Sequence, residues 1–143
     1  MIANEGWFVV NEGSAAGTIV GGNLRTFSLL FGTKYIPSLK DKIVFLENAV
    51  EVKLYDFDRK LQSLIHQPDF DSVRGLIIGR FQPGSGMTND LLLQLIKNKK
   101  ELKSLPIIAN VDFGHSDPKI TWPIGGSAEV QAFNKSFIKI TKH

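Results

Sequence analysis

Apolar residues in this chain fall into short runs of two kinds, and their spacing sets the elements. Ile43-Val44-Phe45-Leu46 and Leu76-Ile77-Ile78 are unbroken, as in strands buried on both faces of a sheet. Between them Val50, Leu54, Phe57, Leu61, Leu64 and Ile65 recur at helical spacing, with Lys53, Asp56, Arg59, Lys60 and Gln62 left for solvent. The pattern predicts an amphipathic helix from about residue 50 to 65, closed off by Pro68 and Asp69.

Trp7-Phe8-Val9-Val10 and Gly17-Thr18-Ile19-Val20 are rich in β-branched or aromatic residues, and Asn11-Glu12-Gly13-Ser14 between them is turn-rich. They read as two strands joined tightly. Asn23 caps a predicted helix through Leu24, Phe27, Leu29 and Leu30, with Gly32 as its stop. A strand follows within residues 73–81, then a loop over 82–86, and Thr88 opens a helix from Leu91 to about Lys99. Residues 105–109 form another buried strand, and 129–133 with 137–140 form a hairpin turning at Asn134-Lys135. Crossovers mixed with hairpins imply an α/β fold, a mixed β-sheet with helices packed on it.

Composition narrows this to one domain, since 143 residues at 43% hydrophobic build a single core and are too few for two ordinary ones. The net charge of +3 is spread along the chain except at Lys97, Lys99, Lys100 and Lys103. That cluster follows the apolar run 91–96, so it reads as cations at a helix C-terminus, and no nucleic-acid partner is expected. The absence of cysteine excludes disulfides, thiolate catalysis and cysteine-ligated metals. No run approaches a membrane span and the first residues lack a signal-peptide pattern, so the expectation is a soluble cytoplasmic protein with no membrane partner.

The chemistry concentrates at Asn110-Val111-Asp112-Phe113-Gly114-His115-Ser116-Asp117-Pro118, where a buried strand opens into a Gly-His turn. A strand end of this kind carries an imidazole to a sheet edge. Glu47 likewise ends an apolar strand, and parallel strands present their C-terminal ends along a single edge. A carboxylate there can accept Nδ1–H of His115 and leave Nε2 to take a proton. The residues alone leave a plainer reading open, an exposed strand-end glutamate and a turn histidine.

A nucleophile is not evident. Ser85 is flanked by glycines, but Gly-x-Ser-x-Gly would require glycine at Pro83 and at Met87. Ser116 is too near His115 in sequence to be assumed in line with it and reads as a turn residue. The segment 17–23 either offers amides to a carboxylate or phosphate or is a tight strand-to-helix turn, and it lacks both the phosphate-loop lysine and the dinucleotide fingerprint. His66, His143, Asp112 and Asp117 make no metal constellation, so neither a metal nor a cofactor is expected.

Taken in order, Gly21-Gly22-Asn23-Leu24, Gly32-Thr33-Lys34-Tyr35-Ile36-Pro37, Ile43-Val44-Phe45-Leu46-Glu47, Gly75-Leu76-Ile77-Ile78-Gly79-Arg80-Phe81 and Phe113-Gly114-His115-Ser116-Asp117-Pro118 through Pro123-Ile124-Gly125 resemble one family. It is the serine peptidases that comprise LD-carboxypeptidases and microcin immunity peptidases. Asn4-Glu5-Gly6-Trp7 and the Gly-Thr-x-Tyr-x-Pro segment look closer to the microcin immunity branch.

The resemblance implies a C-terminal domain of the swivelling β/β/α type. It matches Glu47 and His115 to the family's triad glutamate and histidine, and it sets Asn23, with Gly22 beside it, where the family contacts substrate. The nucleophilic serine, its elbow and the oxyanion donors belong to an N-terminal domain with no counterpart here. The implied partners are that serine-bearing domain and a small peptide or peptide-nucleotide substrate, and the chain alone is expected to be inactive. Met1 followed at once by family-like sequence points to a deliberate or predicted start. Two other readings stand beside this one: a non-catalytic module for a small carboxylate, and a domain-interaction module that forms a homodimer or larger when alone.

Overall fold

A computed structural model of the chain describes residues 6–51 and 53–143, so Asn4 and Glu5 of the first motif lie outside the described residues. The strands are β1 (Phe8–Asn11), β2 (Gly13–Asn23), β3 (Lys42–Glu47), β4 (Gly75–Gly79), β5 (Ile107–Val111), β6 (Ser127–Ala132) and β7 (Phe137–Lys142). They form one seven-stranded sheet in the order β1-β5-β4-β3-β2-β6-β7. β2 to β5 run parallel, while β1, β6 and β7 join antiparallel at the margins. The crossovers between the parallel strands carry α1 (Leu24–Phe27), α2 (Leu54–Ile65) and α3 (Asn89–Lys97). This is the single mixed α/β domain that the apolar pattern implies.

Alternation along the strands sorts side chains between two cores. Val44, Leu46, Leu76, Ile78, Ile107 and Ala109 face the helices and pack with Phe57, Leu61, Leu64, Leu92 and Ile96. Ile43, Phe45, Ile77, Ile108 and Val111 face the other way and pack with Phe113, Ala128, Val130 and Ala132. That second core is closed by curling of the sheet. A Cβ on Gly75 would lie 3.3 Å from the Ala15 methyl, and one on Gly13 would lie 2.7 Å from Pro106 Cγ, so the start of β2 reaches over the starts of β4 and β5. Gly21, at φ +127°, lets β2 hug β3, since a Cβ there would overlap the Phe45 carbonyl oxygen.

Several expectations change in detail. β1 and β2 are separated by Glu12 alone, yet they do not pair: β1 lies against β5, and β2 lies between β3 and β6. The curl explains this, because a bent sheet brings its two sides close enough for one residue to cross between them. The helix foreseen from residue 50 begins at Leu54, and Val50 is exposed in the preceding loop with its N–H donating to Gln82 Oε1 at 2.8 Å. The helix foreseen after Asn23 is one α-turn followed by a 3-10 turn at Ser28–Leu30, and Gly32 ends it at φ +72°. Lys97 does close α3, but Lys99 turns inward and is only 7% exposed, paired with Asp58 at 2.6 Å. Among the described residues no helix is long and apolar enough to cross a membrane.

Candidate active site

Three parallel strands end side by side, and each delivers one ionisable group to the same edge: Glu47 ends β3, Arg80 follows β4 and Asp112 follows β5. Glu47 continues the alternation of Ile43 and Phe45, which turns it to the inner face of the sheet. Its neighbour on that face is Gly79, where a Cβ would come within 3.1 Å of Glu47 Cβ. The missing side chain makes room for the carboxylate.

β5 reaches the site through an irregularity. Its register with β4 jumps between the Ile77↔Ile108 and Gly79↔Val111 pairs, and Asn110 sits there in the left-handed region at φ +61°. Asn110 anchors the distortion by donating its amide to the Gly6 carbonyl at 2.7 Å. The extra residue shifts the alternation, so Val111 and then Phe113 face inward with Ile108. Phe113 packs edge-on against Phe45 and Trp122, and the chain then passes over Glu47 at Gly114.

His115 stands above the carboxylate. Its Nδ1 lies 2.7 Å from Glu47 Oε2, with the glutamate side chain 8% exposed and the imidazole 51% exposed. An ionised carboxylate accepts Nδ1–H, which fixes the neutral imidazole with its proton on Nδ1 and leaves Nε2 a lone pair. The imidazole borders a groove of about 570 Å³ lined also by Phe81, Met87, Thr88, Leu92 and Asn110. The arrangement is a nearly buried carboxylate beneath a half-exposed imidazole.

Asn23 pairs in register with Glu47, and Gly22 with Leu46, so both substrate-contact candidates lie on the same edge. The segment is the end of β2, where a tight turn was one of the two sequence readings. Asn23 Oδ1 caps α1, accepting from Thr26 N–H at 3.1 Å. Ser85 Oγ accepts from Met87 N–H at 3.2 Å, which is a local turn contact. Ser116 donates to the Arg80 carbonyl at 3.3 Å, across to the neighbouring strand end and not within its own turn. His66 is exposed at the end of α2, with Nε2 2.9 Å from Gln62 Nε2. Among the described residues no cluster of three or more metal-ligating side chains occurs.

Arg80 is absent from the candidates that the sequence offers and joins the site only in the fold. Its guanidinium pairs with the Asp112 carboxylate, which also accepts from Trp7 Nε1 at 3.2 Å. The signal was an arginine and an aspartate each placed just beyond a buried apolar strand, legible only once the two strands are known to be neighbours.

Comparison with known proteins gives consistent matches. Residues 16–130 match the family model described as LD-carboxypeptidase C-terminal domain. The Bacillus subtilis protein named "Putative carboxypeptidase YocD" is 46% identical over 141 residues, covering 98% of this chain and 43% of that protein. An MccF-like protein from Bacillus anthracis superposes with a TM-score of 0.94 at 45% identity, covering 98% of this chain and 44% of that one. A structure of MccF in complex with glutamyl sulfamoyl guanosine superposes at 0.77 with 25% identity, covering 98% of this chain and 42% of that one. The chain thus spans about two fifths of the length of the curated relatives it matches, 40% and 43% for two of them.

Proposed function

This chain belongs to the family of LD-carboxypeptidase C-terminal domains, and from that premise we propose that it supplies the acid/base half of a serine carboxypeptidase. His115 is the general base and Glu47 its orienting carboxylate, and the nucleophilic serine lies on a preceding domain. The observation that carries the reading is the 2.7 Å contact between His115 Nδ1 and a nearly buried Glu47. Burying a carboxylate costs free energy unless a partner compensates for it, and His115 is that partner.

In this mechanism Nε2 removes the serine proton as the hydroxyl attacks an amide carbonyl, and the imidazolium returns that proton to the leaving amine. Glu47 stabilises the imidazolium and holds its orientation. The substrate is a small peptide or peptide-nucleotide cleaved near a carboxylate-bearing end, and Asn23 and Gly22, which share this edge, contact it. Docking of the serine domain on this edge agrees with Val50 and Ile120, aliphatic side chains 38% and 51% exposed on the loops that leave β3 and follow His115.

The test joins this chain to the serine-bearing domain of a relative and assays a murein LD-tetrapeptide and an aminoacyl-sulfamoyl nucleotide. One of them is expected to be hydrolysed, and His115→Ala or Glu47→Gln to lower kcat by roughly 10³-fold or more. The isolated chain is expected to cleave neither. Cleavage that survives His115→Ala, or a joined protein that folds and cleaves nothing, would overturn the assignment.

A further inference from the structure

His115 sits on a loop with half of its imidazole exposed, so what fixes the loop decides whether Nδ1 reaches Glu47. Besides the Trp7–Asp112 bond and the Ile120 N–H donating to the Asp112 carbonyl at 2.8 Å, four of the loop's contacts converge on one residue. Arg80, 12% exposed, pairs through Nη2 with the Asp112 carboxylate and donates through Nη1 to the Asp117 carbonyl at 2.9 Å. Its backbone N–H donates to the Val111 carbonyl at 3.0 Å, and its own carbonyl accepts the Ser116 hydroxyl at 3.3 Å. These four contacts bracket His115 on both sides.

We propose that Arg80 is a positioning residue for the Glu47–His115 pair: its guanidinium clamps both ends of the 112–117 loop and so sets where the imidazole stands. The chemistry favours arginine. A planar guanidinium directs separate N–H groups at two acceptors at once, whereas a lysine ammonium on a flexible stem has no such fixed fork. The clamp lies in this chain alone, and its catalytic consequence rests on the function proposed above.

The clamp is tested on the 143-residue chain by nitrogen NMR of the His115 ring. The chain as it stands is expected to show one neutral tautomer, protonated on Nδ1, with a slowly exchanging Nδ1–H. Arg80→Lys and Asp112→Asn are each expected to mix the tautomers and speed exchange of that proton by about tenfold or more. Arg74→Lys is the control, since Arg74 pairs with Asp41 near the opposite end of β3 and β4. It is expected to leave the ring signals unchanged.

Unchanged His115 signals in folded Arg80→Lys and Asp112→Asn proteins would overturn the proposal. Where Arg80→Lys does not fold, Asp112→Asn decides it, because that variant leaves the arginine and its bond to the Asp117 carbonyl in place. In the joined two-domain protein, Arg80→Lys is expected to lower kcat about 10- to 100-fold with little change in KM. A normal kcat alongside mixed tautomers would refute the catalytic role. A joined protein inactive from the outset counts against the proposed function, while the NMR result still decides the clamp.

Discussion

At Gly114 a Cβ would lie 2.8 Å from both Cβ and Oε2 of Glu47, and the backbone is at φ +98°. Both facts call for glycine there, the first because the carboxylate fills the space and the second because L side chains rarely take that conformation. Gly114→Ala is expected to cost about 1–3 kcal/mol, measured by urea unfolding, and to separate His115 Nδ1 from Glu47. Stability equal to that of the parent chain would mean that the loop can rise off the carboxylate at no cost. Glu47 and His115 were readable because each ends an apolar run, whereas the need for Gly114 was not. It arises from side chains far away in sequence that share one face.

Among the elements, α3 and α2 show how local signals and packing divide the work. The Thr88 cap was foreseen and forms, with Oγ1 accepting from Leu91 N–H at 3.2 Å. The lysine cluster after α3 looked uniform in sequence, but Lys99 is drawn against α2, where it meets Asp58 at 2.6 Å and Gln62 Oε1 at 3.2 Å. A lysine this buried depends on its partners, so removing one leaves a charge without compensation. Asp58→Ala is expected to cost about 1–2 kcal/mol, scaled down from a fully buried pair because Asp58 remains partly exposed. Lys99→Met keeps the apolar stem and removes the charge, and is expected to cost less. Chemical denaturation of the two variants gives the order, and the reverse order would show that the ion pair contributes little.

For the whole molecule, the curl of the sheet is the governing feature. It encloses a second core around Phe45, Ile77, Ile108 and Trp122, and it brings Glu47 and the loop after β5 onto the same inner face. β3 and β4 have strand neighbours on both sides and are buried almost throughout, whereas β7 is a largely exposed edge strand. Amide hydrogen exchange should therefore be slowest in β3 and β4 and fast in β7. Protection of β7 equal to that of β4 would reveal another chain paired along that edge.

The sequence by itself determined the periods of the apolar runs, the two helix caps and the two strand-end groups, because these depend on neighbours along the chain. It also carried, through ordered motifs, the family to which the chain belongs. Tertiary structure alone decided that β1 leaves β2 to pair with β5, that Lys99 turns inward, and that a bulge at Asn110 brings His115 over Glu47. The physical reason is common to all three. Strand order, curl and register are set by contacts between residues distant in sequence, and a one-residue shift in β5 reverses which side chains face the carboxylate.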